Sequence, residues 1–151
     1  GFNTCRLFNL AFNLTEFILK YMKELVLIIG GIYGTLAVIF GAFGAHALKK
    51  RFSEDQLKSF ETGVKYQMYH AIMLIISGIV FPFIGTSQQL IAWFFIIGIF
   101  LFSFSIYGLT LSDSAGKKIR ILGPITPLGG LLLILGWIFF TINIAEIALY
   151  L

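Results

Sequence analysis

Long apolar runs alternate with short polar segments along the whole chain. Four of these runs, at roughly 25–48, 66–84, 90–111 and 124–147, are long enough to cross a bilayer as helices, which takes about 20 residues. None has an Asp, Glu, Lys or Arg in its middle. Buried helices of a soluble protein would carry a polar stripe, and a membrane barrel would need strands of alternating polarity. Neither pattern is present. The pattern predicts an all-α integral membrane four-helix bundle.

The polar segments set the expected orientation. The first loop holds Lys49, Lys50, Arg51, Lys58 and Lys65, and the third holds Lys117, Lys118 and Arg120. Only Arg6, Lys20 and Lys23 fall on the other side. Cytoplasmic loops collect Lys and Arg, so both basic loops are expected inside and both termini outside. Within the first loop, Ser53-Glu-Asp-Gln56 reads as a capping box, with two acids in the first turn. Leu57, Phe60, Val64 and Met68 continue at helical spacing, with Glu54–Lys58 and Glu61–Lys65 as i, i+4 pairs. A short interfacial amphipathic helix, bending near Gly63 into the second span, is expected between spans 1 and 2.

Small residues indicate how the spans pack. Gly30, Gly34, Ala37, Gly41 and Ala45 share one face of the first span, and Gly129 and Gly136 lie seven apart in the fourth. Such stripes let helix backbones approach closely, and van der Waals packing drives association where lipid supplies no hydrophobic force. Residues 1–21 precede Met22-Lys-Glu and lack the layout of a signal peptide. They are expected to be an extension, either an interfacial helix or an over-extended start, ahead of a four-span domain at 22–151.

Composition agrees with the pattern. Of 151 residues, 58% are hydrophobic and 12% charged, and the mean hydropathy is +0.94, against roughly 45–50% and 25% in soluble domains. The single cysteine, Cys5, excludes an intramolecular disulfide and a multi-cysteine metal site. The net charge of +4 resides in short loops rather than on a folded basic face, so no nucleic-acid partner is expected.

Three strings carry a resemblance: Gly41-Ala-Phe-Gly-Ala-His-Ala-Leu-Lys49, Glu61-Thr-Gly-Val-Lys-Tyr-Gln-Met-Tyr-His70 and Leu122-Gly-Pro-Ile-Thr-Pro-Leu-Gly-Gly130, with Trp137 following. In order and spacing the chain resembles the small membrane proteins called domain of unknown function 423, related to transmembrane protein 256 of animals. The resemblance covers about 22–150. It implies a four-span integral membrane protein, in the inner (plasma) membrane when bacterial, and brings no established activity.

Candidate chemistry gathers at the basic-loop end. The chain's two histidines, His46 and His70, bracket the first loop, and histidine titrates near neutral pH and ligates metals. Tyr66, Gln67 and His70 lie within about one turn, Ser103 and Tyr107 share a face of the third span, and Thr126 stands between the prolines that open the fourth. Together these seven residues form a candidate polar pocket. Two histidines leave a zinc site incomplete, and no nucleophile–base pair is evident, so neither a metal, a cofactor nor an enzymatic activity is expected. Apolar span middles argue against ion coupling. The expected function is a non-enzymatic structural or accessory membrane subunit, alone as a homo-oligomer or within a larger membrane complex, with membrane lipid as its other partner. The alternative is a binding or carrier protein for a small solute or lipid.

Overall fold

The computed structural model describes residues 2–150. Helix α1 (Phe2–Phe43) ends in a π-helical turn (Gly44–Leu48). After the basic loop comes α2 (Glu54–Val80). Helix α3 (Thr86–Ile99) passes through a second π turn (Phe100–Phe104) into α4 (Ser105–Ser114), and α5 (Leu122–Leu149) completes the fold. Among the described residues there is no strand.

Three helices are long and apolar enough to cross a membrane: Phe8–Leu48, Thr86–Ser114 and Leu122–Leu149. The second of the four expected spans, α2, is not among them. It stops at Val80 rather than reaching residue 84, and Tyr66, Gln67, Tyr69, His70 and Ser77 lower its apolar character. The amphipathic segment after the first loop also differs from expectation. It is not a separate helix but the first turns of an unbroken α2. Gly63 is no bend; a Cβ there would lie 2.8 Å from Tyr107 Cε1, so it is a point of close packing instead. The capping box forms, with Ser53 and Gln56 each bonding the other's backbone N–H. The two i, i+4 pairs Glu54–Lys58 and Glu61–Lys65 do not close; among the described residues the ion pairs are Lys20–Glu24 and Lys118–Asp113. Exposed charges at a surface gain little from pairing. Helix α1 continues unbroken across Met22, which is itself buried beside Val26 in the main core.

Two long pairings organise the helices: α1 lies along α2, and α3 lies along α5. Helix α2 joins the two pairs by packing on α3, α4 and the π turn between them. Phe81 and Phe83, in the loop after α2, are fully buried and plug the end of the main core. Phe83 takes φ 60° to do so, a left-handed conformation that is strained for a bulky residue. A smaller cluster of Leu48, Phe52, Phe60 and Tyr107 seals the basic-loop end.

Glycines set the closest approaches. Gly30 meets α2, where a Cβ would lie 2.9 Å from Ile75 Cγ1 and 3.2 Å from the Ala71 carbonyl. Gly34 and Gly41 face the same helix at ordinary distances, 4.0 Å from Ala71 and 3.4 Å from Val64. The tightest contact is between α5 and the second π turn: a Cβ on Gly129 would run into the backbone of Leu101 and Phe102. Gly136 accepts the ring of Phe95, 2.7 Å from where its Cβ would be. Backbone atoms cannot rotate aside as a side chain can. Gly129→Ala should therefore lower thermal stability in detergent by about 1–3 kcal/mol or more, whereas Gly31→Ala, which meets nothing within 4 Å, should be neutral or slightly stabilising. A Gly129→Ala protein melting like the unsubstituted chain would place α5 farther from the turn.

Candidate functional site

Gln67 is the centre of the buried polar groups, with no exposed surface. Its Nε2 donates to the Tyr33 carbonyl of α1 at 2.8 Å, and its Oε1 accepts from Tyr107 Oη of α4 at 2.8 Å. Tyr33 Oη in turn donates to the Ile96 carbonyl of α3 at 3.0 Å. Three side chains thus tie four helices. A second set surrounds the π turn. Ser103 Oγ donates to the Gly63 carbonyl at 2.8 Å, and Ser105 Oγ lies 2.7 Å from Thr126 Oγ1 and 2.9 Å from the Phe102 carbonyl. A π turn shifts the helical register by one residue, which turns Ser103 toward α2 and Ser105 toward α5.

His70 is buried between Tyr66 and Phe95. Its Nδ1 lies 2.7 Å from the Tyr66 carbonyl, and Trp137 Nε1 donates to its Nε2 at 3.2 Å. A carbonyl only accepts and an indole only donates, so the ring is the neutral tautomer with hydrogen on Nδ1. Both nitrogens are occupied. His46, on the first π turn, is exposed and is not part of this contact set.

The seven candidate residues fall into separate settings. Tyr66 and His70 line a crevice of about 760 Å³ between α2 and α5, together with Phe102, Gly130 and Trp137. Thr126 lines a different cavity, of about 550 Å³, at the basic-loop end beside Asp55, Gln56, Asp113 and Lys118. Gln67, Ser103 and Tyr107 belong to the buried network between them. In the second cavity Gln56 Nε2 donates to Asp113 Oδ2 at 2.8 Å, and Lys118 lies 3.5 Å from the other oxygen. Among the described residues, no three His, Cys, Asp or Glu side chains converge as a metal site would need.

Sequence reasoning missed Tyr33 and Trp137 as partners. Each is a long-range contact, 34 and 67 residues from its bonded side chain on α2, and no local spacing marks it. It also missed the bond from Asn143 Nδ2 to Ser87 Oγ at 2.6 Å, which fastens the far end of α5 to the start of α3.

The sequence profile described as "protein of unknown function (DUF423)" matches residues 40–130. The chain belongs to the DUF423 family. All seven candidate residues lie inside the matched segment, while Trp137 and Asn143 lie beyond it. A UPF0382 membrane protein of Staphylococcus haemolyticus is 39% identical over 120 residues, covering 80% of this chain and 94% of its own. The UPF0382 membrane protein YwdK of Bacillus subtilis is 39% identical over 117 residues, covering 76% and 91%. A further relative, from Staphylococcus saprophyticus, is 37% identical over 124 residues, covering 82% and 99%. Their names and the apolar helices here agree that this DUF423 protein is a membrane protein. No solved structure matches it.

Within the DUF423 segment, Gln67 and Tyr107 are directly coupled. Truncating either leaves the other unpaired, and polar pairs in membrane helices couple by about 0.6 kcal/mol on average and 1.7 at most. A double-mutant cycle with Gln67→Leu and Tyr107→Phe, read by thermal unfolding in detergent, should give a coupling near the upper part of that range. Additive effects would mean that the two side chains do not bond in the folded protein.

Proposed function

We propose that this DUF423 protein is a four-span, non-enzymatic membrane subunit of the bacterial inner membrane, acting as a homo-oligomer or as an accessory part of a larger complex. The observation that carries the reading is the use of its buried polar side chains. Gln67, Ser77, Ser103, Tyr107 and Asn143 all spend their hydrogen bonds on neighbouring helices or on their own backbone. Catalysis or transport requires groups held free for substrate, and here they hold helices together. The same bonding supports α2 as the fourth span. Gln67, His70 and Ser77 face inward and are paired, while Ile72, Ile76 and Ile79 are exposed, so much of the surface it offers to lipid is apolar.

An interaction role is supported by α1. This helix packs chiefly on α2, and its opposite side exposes Gly31, Ile32, Thr35, Val38 and Ile39. Small residues among apolar ones suit a second helix at close range. Native mass spectrometry after mild extraction should find assemblies above the 16.9 kDa of one chain. A protein that is monomeric under every mild extraction overturns the subunit reading.

The orientation is tested separately. In a Cys5→Ala background, Thr86→Cys, at the start of α3, and Ala115→Cys, in the turn after α4, place thiols at exposed positions at opposite ends of the bundle. With both termini outside, an impermeant maleimide added to intact cells should label position 86, and position 115 only after permeabilisation. Labelling of both in intact cells contradicts the four-span reading, and the reverse order inverts it.

A further inference from the structure

The crevice between α2 and α5 is left open because the two helices diverge: each packs on α3 and α4 rather than on the other. A single hydrogen bond crosses the gap, from Trp137 to His70. The back wall is formed by Phe102 and Leu133. Tyr69, Leu131, Ile134 and Trp137 stand along the rim and are exposed, so the crevice opens sideways. Its volume, about 760 Å³, lies within the common range for small-molecule sites, roughly 300–1,000 Å³.

We propose that this crevice binds one anionic phospholipid, with an acyl chain between α2 and α5 and the phosphate at the basic-loop end. The inference rests on α2 lying in the bilayer, as read above. Two observations select the occupant. The crevice is walled by aromatic and aliphatic side chains at the depth of the apolar part of α5, where the surrounding medium is hydrocarbon. The lining itself carries no Lys or Arg, and the cations closest to it along the chain lie on the basic-loop side. Lys65 stands one turn before Tyr69 on the same face of α2 and is exposed without an ion-pair partner among the described residues. Lys117 and Arg120, equally exposed, precede the start of α5. The tyrosines between supply an amphipathic rim of the kind that settles at the headgroup level. One hydrogen bond bridges the two helices across the crevice, and the charge nearest its lining along α2, Lys65 beside Tyr66, is positive.

Gly130 gives access to the crevice by mutation. It lines the cavity, and a Cβ there would make only ordinary contacts, 3.6 Å from the Phe102 ring. Gly130→Leu should thus place a side chain where the acyl chain lies. With Trp93→Phe, Trp137 is the remaining one of the chain's two tryptophans and reports from the rim. The protein is reconstituted in vesicles mixing dioleoyl phosphatidylcholine with brominated phosphatidylglycerol, or the reverse, and Trp137 quenching gives their relative binding. A single surface cation predicts a preference of about fivefold for phosphatidylglycerol. Gly130→Leu should abolish that preference, and Lys65→Gln, an exposed change that spares the fold, should reduce it. Equal quenching by both lipids in the unsubstituted protein, or a preference unmoved by Lys65→Gln, overturns the site while leaving the four-span reading intact. Absence of quenching by either lipid overturns both.

Discussion

Hydrocarbon offers no hydrogen bonds, and in a membrane protein that constraint bears on every polar group buried among the helices. A polar side chain placed in a membrane helix must find its partner on another helix or on its own backbone. Gln67 is the extreme case, because an amide has both donors and an acceptor to satisfy. It meets the demand by reaching α1 with its nitrogen and α4 with its oxygen. The rotation of α2 is thereby fixed relative to two neighbours at once. Turning α2 by one residue would strand both ends of the amide, and each stranded group costs about 1–3 kcal/mol. Close packing then follows the rotation that the polar groups dictate. With Gln67 facing inward, Gly63 on the preceding turn meets the Tyr107 ring.

The π turn at Phe100–Phe104 belongs to the same logic. An extra residue in a helical turn disturbs the backbone bonding and persists where the surroundings support it. Here Gly129 supports it by offering no side chain, so that α5 lies directly against the Leu101–Phe102 backbone. Ser103 and Ser105 then diverge, one to α2 and one to α5. A regular helix through this segment would keep the two serines about 200° apart, fixed by the 100° step per residue. The π turn adjusts that angle to the positions of two independent neighbours.

Much of this was legible in the sequence, for local reasons. The helical apolar runs, the Ser53–Gln56 capping box and the basic loops are patterns within a few turns of chain. Family membership was also readable, from three strings of contiguous residues. The pocket was read less finely. Placing residues at similar depth from a helix end says nothing about rotation, so one expected pocket resolved into a crevice, a cavity and a buried network. The π turns have no sequence mark, since Phe-Leu-Phe-Ser-Phe continues a helix equally well. The hydropathy of α2 falls short of a span for a specific reason: among its polar residues are Gln67 and His70, which bond other helices.

The divergence of α2 and α5 follows from these contacts. Helix α5 is drawn to α3 and the π turn by Gly129 and Gly136, and α2 is drawn to α1 and α4 by Gly30, Gly63 and Gln67. Both sets of contacts depend on missing side chains or on paired amides, and neither tolerates much displacement. The helices therefore cannot also close on each other, and a gap remains between them. His70 and Trp137 span it because imidazole and indole are long, flat side chains whose polar atoms sit at the ring edge. Their bond leaves neither ring with an unpartnered nitrogen while leaving the space beside it open. Phe at position 70 would fill similar volume but leave the indole N–H of Trp137 without its acceptor. The histidine is thus held by what it bridges, and it is the pairing of α5 with α3, through glycine, that determines the distance to be bridged.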